Sequence, residues 1–237
     1  TDSDQSSSNT DTMTVTITIT GANDAPTITA SDNTGAVTED AGTTTASDTL
    51  VFTDDDDADT TLAWSMSGAT DNGATQTLAG TYGSLVVTEA TGAWTYTIDN
   101  ADADTTALDA DDSVSDAFTV TGTDTNGGSD TETVTITITG ANDATSAGAD
   151  QTGAITEDAS TSTATGTVAG TDDDTDASIT YAAGSTAGTY GSLALTTSSG
   201  AWTYTLDNTD ADTTALDADD SVSDAFTITA TDSDQSS

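Results

Sequence analysis

Lysine, arginine and histidine are all missing from these 237 residues, which nonetheless carry 42 carboxylates and a formal net charge of −42. No carboxylate can be neutralised by a basic side chain of its own chain, and repulsion makes nucleic acid and anionic membrane surfaces poor partners. Cysteine is absent too, so no disulfide staples the fold, and the redox compartment is left unstated. No apolar run approaches the roughly 20 residues of a helical span, and no membrane insertion is expected. Without His, Cys, Lys or Arg, only paired carboxylates remain for acid–base chemistry, as in glycosidases. The acidic clusters recur in two copies, whereas catalysis rarely needs one site per module, so the chain is read as no enzyme. There is one proline, no initiator methionine and no secretion signal, and the sequence reads as an excerpt of something longer.

What is present is repetition. TVTITITGAND at 14–24 returns at 133–143, and TED at 38–40 returns at 156–158. TYGSLVVTEATGAWTYTIDN at 81–100 becomes TYGSLALTTSSGAWTYTLDN at 189–208, and ADTTALDADDSVSDAFT at 103–119 is unchanged at 211–227. TDSDQSS stands at both 1–7 and 231–237. The phase assigns residues 1–20 to the last strand of a preceding repeat, 21–139 to a first repeat and 140–237 to a second that lacks its own last strand. The stretch from Leu62 to Gly80 is longer than its counterpart from Ile179 to Gly188, which marks a surface loop.

Apolar residues alternate with threonine, the period of a half-buried strand. Val15, Ile17 and Ile19 form one such row and Val134, Ile136 and Ile138 its copy. Trp94, Tyr96 and Ile98 form another, matched by Trp202, Tyr204 and Leu206, so both tryptophans are assigned to the core. With a first strand near Ile28 and Val37, the spacing predicts an all-β chain. It would form tandem immunoglobulin-like β-sandwich domains of about seven strands each, arranged as a linear rod.

Alternating strands send successive loops to opposite ends of each sandwich. One end of the first repeat gathers Asn23, Asp24, Asp54, Asp55, Asp56 and Asp124. The junction between repeats should collect Glu39, Asp40, Asp99 and Asp102 from below, Asn142 and Asp143 in the linker, and Asp172, Asp173, Asp174 and Asp232 from above. Glu157, Asp158, Asp207 and Asp210 repeat the lower group in the second copy. Clustered oxygen ligands in loops suit a hard cation such as Ca2+. Only Glu39, Glu89, Glu132 and Glu157 are glutamates, and so heavy a bias to the short arm of Asp favours ligands over a merely salt-adapted surface, the competing reading. Asp172, Asp174 and Asp176 have EF-hand spacing at their start, but the loop lacks the glycine and final glutamate such a site needs. The crossover aspartates Asp109, Asp111, Asp112 and Asp116, repeated at Asp217, Asp219, Asp220 and Asp224, suit either turn caps or a second ion.

The G-A-N-D-A-P of residues 21–26, T-E-D, the aspartate run, Y-G-S-L and G-A-W-T-Y-T-I-D-N resemble VCBS-type repeats, cadherin-like modules of large secreted bacterial adhesins of the RTX class. The resemblance implies Ca2+ at the junctions, type I secretion, an extracellular or cell-surface location and an extender role in adhesion or biofilm. It makes Asn23-Asp24 and Asn142-Asp143 the linkers, with Glu39 and Glu157 as the upstream acids. Partners would be neighbouring repeats or identical subunits, with any cell-surface or matrix target met by other parts of the parent. The chain departs from the pattern in three ways. Pro26 becomes Thr145 in the second copy, the Asp-Arg-Glu element of cadherins cannot exist without Arg, and no G-G-x-G-x-D nonapeptide occurs. Two other functions remain open: a filament subunit that donates residues 11–20 into the groove left after Ser237, and a sugar- or ice-binding module using the Thr-x-Thr rows at 14–20 and 133–139. The threonines also permit O-glycosylation.

Overall fold

Threonine and β-branched residues at alternating positions favour a pleated, half-buried surface, and every regular element among the described residues is a strand. The computed structural model describes residues 11–29, 31, 33–56, 60–175 and 178–232.

The first repeat starts with β1 (Thr27–Thr29), β2 (Thr34–Thr38), β3 (Thr45–Thr49) and β4 (Val51–Thr53). Next come β5 (Ala63–Met66), β6 (Thr70–Asp71), β7 (Thr75–Ala79), β8 (Gly83–Thr88) and β9 (Ala93–Ile98), and the long hairpin β10 (Ser113–Thr123) and β11 (Ser129–Thr139) completes it. One sheet has the order β2-β11-β10-β5 and the other β3-β9-β8-β7-β6, with β1 paired to β4. Their apolar rows form a single core containing Trp64, Leu85, Trp94, Tyr96, Phe118, Val134, Ile136 and Ile138. β2 runs parallel to β11, and the other pairs are antiparallel. The first strand expected near Ile28 and Val37 is two pieces, because β1 pairs with β4 while β2 pairs with β11 in the other sheet. The loop expected after Leu62 contains the hairpin β6–β7, turned at Gly73 with φ +92°, which extends the second sheet by pairing with β8.

The second repeat has β12 (Thr163–Thr167), β13 (Thr180–Ala183), β14 (Gly191–Leu195), β15 (Ala201–Leu206) and β16 (Ile228–Thr231). Five strands are described here, fewer than the expected seven. They form the sheets β12-β15-β14 and β13-β16 around a smaller core of Val168, Tyr181, Leu193 and Trp202. The counterpart of β1 shrinks to a bridge between Ser146 and Thr171. Residues 152–156, the counterpart of β2, form no strand, and the counterpart of β11 would lie beyond residue 236.

One carboxylate ties each repeat together, buried in the first and half-buried in the second. Asp116 in β10 accepts hydrogen bonds from the Thr81 and Tyr82 amides, at 2.8 and 3.1 Å, and from the Tyr96 hydroxyl at 2.8 Å. Asp224 does the same with Thr189, Tyr190 and Tyr204 at 2.7, 3.0 and 2.7 Å. Hydrogen bonds donated to a carboxylate in this way are the strong ones. Burial, reinforced by the neighbouring carboxylate, pushes both tyrosine hydroxyls well above their ordinary range. Of the two readings open for these crossover aspartates, Asp116 and Asp224 are structural anchors.

Candidate metal centre at the repeat junction

The junction is built outward from the end of the β2/β11 pair. Glu39 follows β2, and its amide donates to the Thr139 carbonyl at 2.9 Å, which carries the ladder into the linker. The Ala141 amide then donates to Glu39 Oε2 at 3.3 Å. Only 2% of Glu39 is exposed, and its Oε1 is buried with no hydrogen-bond donor. In the linker, Asn142 Nδ2 donates to the Asp143 carbonyl at 2.7 Å, leaving the buried Asn142 Oδ1 without a donor. The Asp143 amide reaches across to the second repeat and donates to Asp174 Oδ2 at 2.8 Å, while Asp174 Oδ1 is buried without a donor. Asp172 accepts from the Asp174 amide at 3.2 Å and from the Thr145 hydroxyl at 2.8 Å.

Crowding of like charge shapes the electrostatics. Burial pushes the Glu39 carboxyl up to about 7, and the charges of Asp143, Asp40 and Asp174 add to the effect against the opposing bond from Ala141. Burial also raises Asp143, reinforced by Asp40, Asp173 and Asp172. Asp174 is raised by burial and by Asp143, Asp172 and Asp109, although the Asp143 amide opposes this. A buried carboxylate costs free energy unless it is paired, and this chain has no cationic side chain with which to pair it. Glu39, Asn142 and Asp174 thus each present a buried oxygen with open acceptor capacity, from three separate segments. Carboxylate and amide oxygens are the donor type that Ca2+ takes, six to eight at a time, and these three would be part of such a set. Among the described residues no three carboxylates already stand at metal-holding spacing.

The remaining predicted ligands divide into those that join this group and those that do not. Asp40 and Asp173 are exposed beside the linker and act on Asp143 through their charge. Asp40 takes a left-handed φ of +49°, repeated by Asp158 at +54°. Asp232 is buried just after β16. Asp99 and Asp102 instead cap their own turn, accepting from the amides of Ala101 and Asp104 at 3.1 and 2.9 Å. The crossover meets the second repeat elsewhere. Thr175 donates from both its amide and its hydroxyl to the Ala107 carbonyl at 3.3 and 2.8 Å, and Asp109 lies close enough for its charge to bear on Asp174. Asp109 was open to a turn role in the sequence; only the packing of the two repeats shows it facing the junction.

The first repeat carries a like group at its opposite end. Asn23 Nδ2 donates to Asp124 Oδ2 at 3.1 Å, the Asp24 amide donates to Asp56 Oδ2 at 2.8 Å, and the Asp56 amide donates to Asp54 Oδ1 at 2.9 Å. Asp55 is exposed. For Asp124, burial pushes the carboxyl up, but bonds from Asn23, Asn126, Gly128 and Gly127 outweigh it and the net shift is downward. Asp54 Oδ2 is buried without a donor, whereas the equivalent oxygen of Asp172 is served by Thr145. Pro26, which replaces that threonine, has no hydroxyl to offer.

At the far end of the second repeat, Asp207 accepts from the Thr209 amide and hydroxyl at 2.9 and 2.6 Å, and the hydroxyl bond leads in holding its carboxyl low. Asp210 caps Asp212 at 2.8 Å. Asp158 receives only a 3.4 Å contact, donating its amide to Asn208 Oδ1. Glu157 is half-buried, in contrast to Glu39, since no β11-like strand and linker cover it among the described residues.

A β-sandwich whose acidic loops close on an Asn-Asp linker has the form of a cadherin-type repeat, and domains of that type are extracellular adhesive or structural modules. Residues 23–140 match the family model of the bacterial cadherin-like domain, so the first repeat is a domain of that kind. No curated protein sequence matches the chain. Among solved structures it is similar to mouse cadherin-23 EC22-24, with 19% identity over 78% of this chain and 56% of that one at a TM-score of 0.44. Similar values hold for human CDH23 EC21-23, with 18% identity over 79% and 55% at a TM-score of 0.44. Protocadherin gamma B2 extracellular cadherin domains 3-6 share 16% identity over 88% of this chain and 47% of that one, again at 0.44. The chain spans about half the length of these structures.

Proposed function

We propose that the chain is a non-enzymatic extender, a tandem-repeat segment of a secreted bacterial adhesin or of a surface or biofilm fibre, whose repeat junctions Ca2+ makes rigid. In this reading residues 21–139 and 140–237 are successive repeats, and 1–20 carry the last-strand sequence of a repeat before them. The observation that carries it is the set of buried, donorless oxygens on Glu39, Asn142 and Asp174, drawn from the end of β2, the linker and the loop before β13. Asp40, Asp143, Asp172, Asp173 and Asp109 supply further charge around them. When bound, the ion supplies the positive charge the sequence lacks, so that carboxylates from both repeats attract one centre instead of repelling each other. The ends of the array repeat half of this arrangement, with Asn23, Asp24, Asp54, Asp56 and Asp124 as an upper half and Glu157, Asp158, Asp207 and Asp210 as a lower half.

Calorimetric titration tests the assignment. The chain should bind Ca2+ with a Kd on the order of 10⁻⁴–10⁻³ M, typical of extracellular modules, and should bind Mg2+ much more weakly. Glu39→Gln should weaken the junction site at least tenfold. Equal heats from Glu39→Gln and the parent chain would remove Glu39 from the site and the proposal with it.

A further inference from the structure

The crossover between β9 and β10 forms a fixed shelf at the junction end of the first repeat. Thr105 is fully buried and Leu108 belongs to the core, which pins the segment to its own sandwich. Its turns are closed by backbone bonds. The Thr105 and Thr106 amides donate to the Asp102 carbonyl at 3.1 and 3.0 Å, and the Leu108 amide to the Thr105 carbonyl at 3.0 Å. The Asp112 amide closes the next turn on the Asp109 carbonyl at 2.8 Å. Residues 103–119 recur unchanged at 211–227, and the same turns form there, with Leu216 bonded to Thr213 at 3.1 Å and Asp220 to Asp217 at 2.8 Å. The shape of the shelf is therefore encoded in the repeated segment itself. The linker leaves pressed against it. Gly140 donates its amide to the Asp112 carbonyl at 3.1 Å, and a Cβ at this position would collide with the Asp109 carbonyl oxygen.

The second repeat meets the shelf through Thr175, whose amide and hydroxyl both donate to the Ala107 carbonyl, at 3.3 and 2.8 Å. Thr175 is the fourth residue of the run Asp172-Asp173-Asp174-Thr175, which in the first repeat reads Asp54-Asp55-Asp56-Asp57. Three positions are kept, and the changed one is the one that touches the shelf. The shelf presents an acceptor, the Ala107 carbonyl, together with the charge of Asp109, which already bears on Asp174. A threonine answers with a donor and no charge. An aspartate side chain would set a second acceptor and a second negative charge against both, and the chain holds no cationic side chain to offset them.

We infer that the crossover is a docking shelf that selects the loop of the following repeat by the residue at this fourth position, accepting a hydroxyl and refusing a carboxylate. Specificity of this kind needs an unfavourable term against the wrong partner as well as a bond to the right one, and Asp109 with the Ala107 carbonyl supplies both. Thr175 is then a specificity-determining residue that orients the second repeat on the first through a contact containing no ion. The inference rests on reading 21–139 and 140–237 as successive repeats, but not on Ca2+.

The chain has no cysteine, so spin labels can be placed at exposed strand positions of the two repeats, Thr119→Cys in β10 and Thr165→Cys in β12. The distance distribution between them is measured in EDTA, where no ion holds the junction. The labelled parent should show a resolved peak on a broad background. Thr175→Val, which keeps the shape and loses the hydroxyl, should lower the population of that peak about fivefold, the worth of one neutral hydrogen bond. Thr175→Asp should lower it at least as far, and Thr175→Ser should keep it. Thr175 is exposed, so the unfolding of each repeat should be unchanged in all three. A parent without the peak in EDTA, or a Thr175→Asp chain that keeps it, overturns the inference. A Thr175→Ser chain that loses the peak overturns it too, because packing and not the hydroxyl would then make the contact. Whether Ca2+ narrows the parent distribution is a separate readout, so the ion assignment and the docking shelf can fail independently.

Discussion

With its carboxylate buried and one oxygen lacking a donor, Glu39 gives the junction a pH dependence of definite sign. Its ordinary value is 4.5 and burial moves it to about 7 in the folded chain. Between these limits the folded chain holds a proton that the unfolded chain has lost, so stability without a bound cation falls as pH rises from about 4.5 to 7. The full gap corresponds to roughly 3 kcal/mol, and the raised Asp143 and Asp174 act in the same direction. Asp124, Asp207 and Asp224 are shifted downward, so what they contribute is lost only as pH falls below the ordinary carboxylate range. We therefore expect urea-unfolding free energies in EDTA to decline between pH 5 and 7.5, and millimolar Ca2+ or Glu39→Gln to flatten the decline. A flat profile for the parent chain in EDTA would contradict this account of Glu39. Thr145 offers a second test at the same scale. Thr145→Val leaves Asp172 Oδ2 without its donor, as Asp54 already is opposite Pro26, and should cost about 1–2 kcal/mol in EDTA and less in Ca2+. The sequence disclosed the Pro26/Thr145 difference as a departure from pattern, but not that the hydroxyl is used, because this depends on Asp172 folding back onto the linker.

Among the strands, the decisive contacts link a strand to the turn before another. Asp116 binds the Thr81–Tyr82 turn and the Tyr96 hydroxyl, joining β10 in one sheet to β8 and β9 in the other. Tyr96→Phe should destabilise the first repeat by about 1.5–3 kcal/mol, the range for hydrogen bonds to charged groups. Asp116→Ala should cost more, since it removes the acceptor of two partly buried amide bonds as well as of the hydroxyl. Equal and small losses in chemical denaturation would contradict the anchoring role. Alternation placed Trp94, Tyr96 and Ile98 and Val134, Ile136 and Ile138 inward correctly, whereas the row Val15, Ile17 and Ile19 forms no strand and is exposed. It did not reveal that β1 and β2 belong to different sheets, because two or three apolar residues in a row fit either partner. Nor did it show the β6–β7 hairpin, whose residues are polar and gain order from β8 rather than from their own pattern.

Across the whole molecule, the two repeats share loop sequences and meet at an acidic linker. The acidic linker was legible because its motif occurs twice. The neighbours of that linker were legible only in part: Asp99 and Asp102 cap their own turn, and Asp109 approaches Asp174 from a crossover whose path depends on tertiary packing. Ca2+ at about a hundredfold above its Kd would stabilise the folded junction by roughly 2.7 kcal/mol per site, a large share of the 5–15 kcal/mol that holds a typical domain folded. The most direct measurement is small-angle scattering of the chain, extrapolated to infinite dilution, in millimolar Ca2+ and after chelation. A rigid junction predicts a well-defined maximum dimension in Ca2+, and a broadened distance distribution with a smaller mean radius in EDTA. Identical curves in the two conditions would contradict a Ca2+-stiffened extender.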